Sequence, residues 1–199
     1  MLRAPNVVEL AKQKVATIPL RYIHEDIENT THSSSMLFPQ VPDIDMEKLL
    51  AIETIQSLRG FILHAENGDF SRDLMEAYCK EIQTLAMIII CQLAKALSMD
   101  EKEMRDVFVD GVQSMRMNYY PPCPEPGKTY GLNPHSDTTA FTILLQLNET
   151  EGPQVRKDNI WVPIKPLPNA FIVTIGDMIE VNIYYIVENF EGMPLDMRI

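Results

Sequence analysis

His135 and Asp137, separated by Ser136, are the pair of side chains in this sequence best suited to chemistry. Along a strand, successive side chains alternate faces, so residues two apart point the same way. At a strand end, an imidazole nitrogen and a carboxylate oxygen would then converge on one point. That donor pair fits two corners of a 2-His-1-carboxylate facial site, which holds Fe(II) and leaves positions open for O2 and a co-substrate. The plainer alternative is a His–Asp hydrogen bond at the strand end. A third reading is a zinc hydrolase, but it would need an H-E-x-x-H helix or another third donor, and neither is found. His32 falls in the polar run Thr30-Thr31-His32-Ser33-Ser34-Ser35 and reads as a solvated loop residue. His64, between Leu63 and Ala65, reads as a packing or surface residue. Cys123 lies between prolines with no convergent histidine, which favours turn packing over a nucleophile.

The elements that would position His135 and Asp137 come in two groups. Around the pair the pattern is strand-like. Ser114–Tyr120 reads as a strand stopped by Pro121-Pro122, and Phe141–Leu147 as a clear strand. Gln154–Lys157 and Ile160–Ile164 flank the turn dipeptide Asp158-Asn159, and Ala170–Ile175 is a strand closed by Gly176-Asp177. Upstream the pattern is helical. Residues 6–16 form a helix with Asn6 as N-cap, ended by Pro19, and Met46–Ser57 forms another. Val41–Asp45 reads as a short strand or turn, and 24–36 as a loop. Residues 58–70 settle into no period and are punctuated by Gly60 and Gly68. Ser71–Leu97 is the strongest helix, with Leu74, Tyr78, Ile82, Leu85, Ile89, Leu93 and Leu97 on one face. Ser98-Met99-Asp100-Glu101 resembles a capping box opening a short acidic helix to about Val109. Helices first and short strands afterwards predict an α+β fold, a helical layer backing a β-sandwich or jelly-roll.

Composition narrows the partners. The chain has 199 residues, enough for one domain or one domain with an appendage. A net charge of −11 argues against nucleic acid, because it offers no basic face to phosphate. Three cysteines without paired spacing predict a reducing compartment and a cytoplasmic protein. Arg3, Glu9, Lys12 and Lys14 interrupt any signal-peptide core, and the most apolar window, Leu85–Leu97, is too short to span a bilayer. No membrane partner is expected.

The run Met117-Asn118-Tyr119-Tyr120-Pro121-Pro122-Cys123-Pro124, then Gly131-Leu132 before His135-Ser136-Asp137, resembles the plant Fe(II)/2-oxoglutarate-dependent dioxygenases. Thr142–Gln146, Trp161-Val162-Pro163-Ile164 and Ala170–Asp177 continue the resemblance. Val8-Glu9-Leu10-Ala11-Lys12 and Ile44-Asp45-Met46 are similar to the senescence-related/alkaloid O-demethylase-like branch. The resemblance implies a double-stranded β-helix core with helices packed outside. It implies His135 and Asp137 as the first two iron ligands, and Asn118 and Tyr120 as the N-x-Y whose tyrosine helps hold 2-oxoglutarate. The implied cofactors are Fe(II) and 2-oxoglutarate, with ascorbate as an accessory. The implied reaction is hydroxylation, demethylation or desaturation of a small specialised metabolite by O2, coupled to decarboxylation of 2-oxoglutarate. On this reading 1–70 is a shortened helical and loop region, 71–110 a long buried helix with a short acidic one, 111–180 a partial jelly-roll, and 181–199 a tail unlike the family.

The sequence also departs from the family pattern. Its histidines are 24, 32, 64 and 135, so none after His135 can be the third iron ligand. The family's R-x-S, whose guanidinium clamps the distal carboxylate of 2-oxoglutarate, has no counterpart: Arg156 and Arg198, the arginines after Asp137, do not begin it. Between Leu50 and Ser71 the family's Trp-Gly-Phe-Phe strand and Asn-His-Gly turn are not found. The Val181-Asn182 codons can begin GT-AA, as a splice donor does, so intron read-through is the expected origin of the tail. The jelly-roll is expected to be incomplete at its C-terminal strands. The expectations are weakened metal retention, low or absent turnover, and a monomer when properly folded that can self-associate through exposed strand edges. A catalytically inactive truncated fragment or a binding-only protein is the alternative, and metal titration separates the two.

Overall fold

The computed structural model describes residues 6–24, 27, 41–46, 50, 52–68 and 70–181. They belong to two units, one drawn from 1–36 and 114–135, the other from 37–113 and 136–199.

In the first unit, α1 (Val7–Lys12) begins where its cap dictates. Asn6 Oδ1 accepts from the Glu9 amide at 2.9 Å, and Glu9 Oε2 accepts from the Asn6 amide at 2.9 Å, which satisfies two otherwise orphaned donors. The helix is shorter than the predicted 6–16. Gln13 caps it and Lys14 turns left-handed at φ 50°, so it stops well before Pro19. Residues 18–24 then hang on the loop of 125–130. The Ile18 amide donates to Glu125 Oε2 (2.9 Å), the His24 amide donates to the Lys128 carbonyl (3.0 Å), and the His24 ring meets the Tyr130 ring edge-on. Lys128 Nζ donates to Glu125 Oε1 at 2.6 Å across the single turn Pro126–Lys128. The predicted strand Ser114–Tyr120 does not form: these residues are exposed and join no ladder among the described residues. Its apolar and aromatic composition suits a strand, but a strand exists only with a partner for its amides and carbonyls.

The second unit opens with α2 (Ile52–Glu66), α3 (Arg72–Ala96) and α4 (Glu101–Phe108). Residues 58–66, expected to be aperiodic, are the body of α2. Leu58, Phe61, Ile62 and Ala65 are all buried, at spacings of three, four and seven. Gly60 interrupts nothing, because a side chain there would meet open space. The Phe61 and Tyr78 rings stack at 3.7 Å between centroids and join α2 to α3. Burial, with the neighbouring Cys79 adding, pushes the Tyr78 hydroxyl up to about 12. Leu85, Ile90 and Ala94 of α3 are buried. At its end Ser98 turns left-handed (φ 55°) and the Met99 amide reaches back to the Ala94 carbonyl. Ser98 is thus used to close α3. The cap of α4 is Asp100, two residues later than predicted, with Oδ1 accepting from Lys102 and Glu103 amides at 2.9 Å each.

The strands follow. β1 (Phe141–Leu145) pairs antiparallel with β4 (Phe171–Ile175), in the register Phe141↔Ile175 to Leu145↔Phe171. Between them in sequence, β2 (Gln154–Lys157) and β3 (Ile160–Pro163) form a separate hairpin. Its turn residues Asp158 and Asn159 both take positive φ, 51° and 63°, the twist-matched geometry for a two-residue turn. Val162 and Ile164 are buried. β1 stops at Leu145 because Gln146 turns its amide onto the Asn148 and Thr150 carbonyls. Val41–Asp45 joins no strand pair among the described residues. The predicted loop histidine His32 and residues 182–199 of the predicted tail lie outside the described residues.

Candidate functional site

Asp137 lies four residues ahead of β1, where the β1–β4 pairing runs on beyond the strands. The Gly176 amide donates to the Ala140 carbonyl at 2.9 Å, and the Asp177 amide to the Asp137 carbonyl at 2.8 Å. Gly176 allows this approach. A Cβ there would collide with the Thr139 carbonyl oxygen and come within 2.8 Å of that of Asp137, and both obstacles are backbone. The Asp137 carboxylate is held as closely as its backbone. Oδ2 accepts from Thr142 Oγ1 at 2.6 Å and lies 3.4 Å from Thr174 Oγ1. Thr142 and Thr174 are direct cross-strand partners. Ser136 Oγ donates to Asp177 Oδ2 at 3.1 Å, so the residue between the two candidate ligands is tied as well.

The other sequence-predicted residues belong to the first unit. His135 is exposed, with Nδ1 2.8 Å from the Asn133 carbonyl oxygen. A carbonyl only accepts, so the network assigns the proton to Nδ1, and in the neutral ring the lone pair is on Nε2. A ring nitrogen bonded to backbone in this way is common in metal-ligating histidines. Asn118 and Tyr120 are exposed. The Tyr120 ring rests against Gly131, where a Cβ would stand 3.2 Å from both Cδ1 and Cε1. Asp137 thus has its companions in the second unit, and Asn118, Tyr120 and His135 theirs in the first.

His135 in the first unit and Asp137 in the second are of the donor types that two positions of an iron site take. Asp137 offers an oriented carboxylate and His135 an oriented imidazole. Among the described residues no three His, Cys, Asp or Glu side chains gather as a metal site. Thr142, Thr174 and Gly176 lie within the runs Thr142–Gln146 and Ala170–Asp177, but their contacts with Asp137 are not legible there. The threonines become visible only with the β1–β4 register, although Gly176-Asp177 was recognisable as the end of β4.

A family model described as the 2OG-Fe(II) oxygenase superfamily matches residues 111–186. Oxoglutarate-dependent flavonoid 7-O-demethylase 1 of Ocimum basilicum is 34% identical over 265 residues, covering 90% of this chain and 70% of that protein. Protein SRG1 of Arabidopsis thaliana is 54% identical over 112 residues, 55% of this chain and 31% of the relative. Thebaine 6-O-demethylase of Papaver somniferum is 46% identical over 124 residues, 59% and 34% respectively. This chain therefore matches about a third of the length of the last two. A solved structure of JOX2 in complex with 2OG, Fe and JA superposes with a TM-score of 0.65 at 23% identity, covering 90% of this chain and 75% of that one. That likeness carries the fold, the jelly-roll with helices outside it, and the relatives carry the branch expected from the sequence.

Proposed function

Because this chain belongs to the 2OG-Fe(II) oxygenase superfamily, we propose that it has the site of a 2-oxoglutarate-dependent dioxygenase acting on a small specialised metabolite. Demethylation of an O-methyl group is the preferred reaction, with hydroxylation and desaturation as variants; the names of the flavonoid and thebaine demethylases support that preference. The observation that carries the proposal is Asp137, a carboxylate fixed at the head of a strand pair within an H-x-D. His135, through Nε2, and Asp137 would hold Fe(II). The Tyr120 hydroxyl, beside Asn118, would donate to 2-oxoglutarate. When bound, Fe(II) with 2-oxoglutarate and O2 supplies the power to oxidise a C–H bond, 2-oxoglutarate leaving as succinate and CO2. This chain's residues orient that chemistry: the Asn133 carbonyl fixes the imidazole and the threonine hydroxyls fix the carboxylate.

Two protein donors hold a metal less firmly than three, and without an R-x-S arginine the distal carboxylate of 2-oxoglutarate goes unclamped. The proposal is therefore slow turnover by a monomer, with ascorbate as an accessory reductant. Free thiols at Cys79, Cys91 and Cys123 support a reducing, cytoplasmic setting. Among the described residues no helix is long and apolar enough to cross a membrane. A second reading, a binding-only or inactive chain, draws support from the lack of a three-donor cluster among the described residues. The test is Fe(II)-dependent release of CO2 from carboxyl-labelled 2-oxoglutarate by the 199-residue chain, against its Asp137→Ala variant. Slow release above the variant supports the proposal. Release equal to the variant favours the second reading, and robust release contradicts the impairment.

A further inference from the structure

Thr142 and Thr174 face each other across β1 and β4, and both hydroxyls aim at one oxygen of Asp137. We propose that this cross-strand hydroxyl pair is a positioning device, which sets the rotamer of the Asp137 carboxylate before any metal arrives. The inference rests on the functional reading above for its purpose, but not for its geometry.

The arrangement is more than an ordinary threonine pair. Cross-strand threonines on one face often hydrogen-bond to each other or to water. Here both are turned toward a carboxylate that lies outside the strands, at 2.6 and 3.4 Å. β-branched threonine has few χ1 states, so its hydroxyl direction is set by the strand backbone. The carboxylate is thereby referenced to two laddered strands rather than to its own loop. The loop is referenced to the same strands by the Asp177-to-Asp137 backbone bond and the Ser136–Asp177 side-chain bond. With side chain and backbone both fixed, Asp137 keeps one orientation. Groups that orient metal ligands commonly contribute ten- to a hundredfold in affinity.

The test uses the full chain and Mn(II) as the probe. The double variant Thr142→Val/Thr174→Val keeps the side-chain shape and removes both donors. It is expected to bind Mn(II) about ten- to a hundredfold more weakly, while Thr142→Ser, which retains the hydroxyl, stays close to wild type. Unchanged Mn(II) affinity in the double valine variant overturns the inference. A metal-free cycle guards against a folding artefact. If Thr142 acts through Asp137, then in the Asp137→Ala background Thr142→Val should no longer shift the urea midpoint. Full additivity of the two substitutions also overturns the inference. A wild-type chain that takes up no Mn(II) overturns the functional reading instead, and the cycle still decides whether the threonines hold the carboxylate.

Discussion

His135 and Asp137 stand two residues apart in the chain, yet their surroundings differ in kind. Around Asp137 one short bond comes from Thr142, five residues on, and the others join residues distant in sequence: Thr174 is 37 residues away, and Asp177 meets both Ser136 and the Asp137 backbone. Around His135 the ring bonds to a carbonyl two residues back. Local bonds cost little chain entropy, whereas the Thr174 and Asp177 bonds exist only once β1 and β4 have paired. A candidate pair that looks uniform in sequence thus differs in its supports: the Nδ1 bond of His135 is local, and part of what holds Asp137 depends on the tertiary fold.

Substitutions on either side of that contrast should differ in cost. The largest effect is expected at Gly176, where a Cβ would strike two backbone carbonyls that cannot move without unpairing the strands. Gly176→Ala should cost about 3 kcal/mol in urea unfolding, with loss of amide protection at Asp177. If protection survives, Asp137 is not held by the strands. In the β2–β3 hairpin, Asn159 sits at φ 63°, and Asn159→Val should cost roughly 1–2 kcal/mol by forcing a β-branched residue left-handed. In the first unit the effects should be smaller. Asn6→Ala removes one arm of the capping box and should cost about 1 kcal/mol, read as faster amide exchange at Glu9.

The smallest effect is expected at Glu125, and it depends on pH. The Lys128 ammonium first, then the Ile18 amide, hold its carboxyl below the usual carboxylate value. A lowered folded pKa gives stability that is complete above the ordinary value of about 4.5 and is lost as pH falls through the lowered one. Protection of the Ile18 amide should therefore be constant at neutral pH and fade only in acid. Glu125→Gln should remove that acid dependence, a difference measurable by amide exchange along an acid titration.

How much of this was legible in the sequence follows the same division between local and distant. The Asn6 cap, most of α3, the Asp158-Asn159 turn and the end of β4 were readable because each is fixed by neighbours within a few residues. The body of α2 was legible in principle through Leu58, Phe61, Ile62 and Ala65, but Gly60 and the exposed Leu63 obscured the stripe. Ser98 looked like a cap, and which helix end it serves was decided by the backbone of α3. Ser114–Tyr120 has strand composition without a ladder among the described residues, because pairing is a property of two segments. At the site, His135 and Asp137 could be picked out by type and spacing, but Thr142 and Thr174 could not, since only the register makes them neighbours.

The claim that matters most is that Asp137 is a metal ligand in this chain. Titrating the purified protein with Mn(II), followed by electron paramagnetic resonance with and without 2-oxoglutarate, tests it directly against Asp137→Ala. One site is expected in the wild-type chain, tightened by 2-oxoglutarate and lost in the variant. Binding that persists unchanged in Asp137→Ala, or no binding by the wild-type chain, would contradict it.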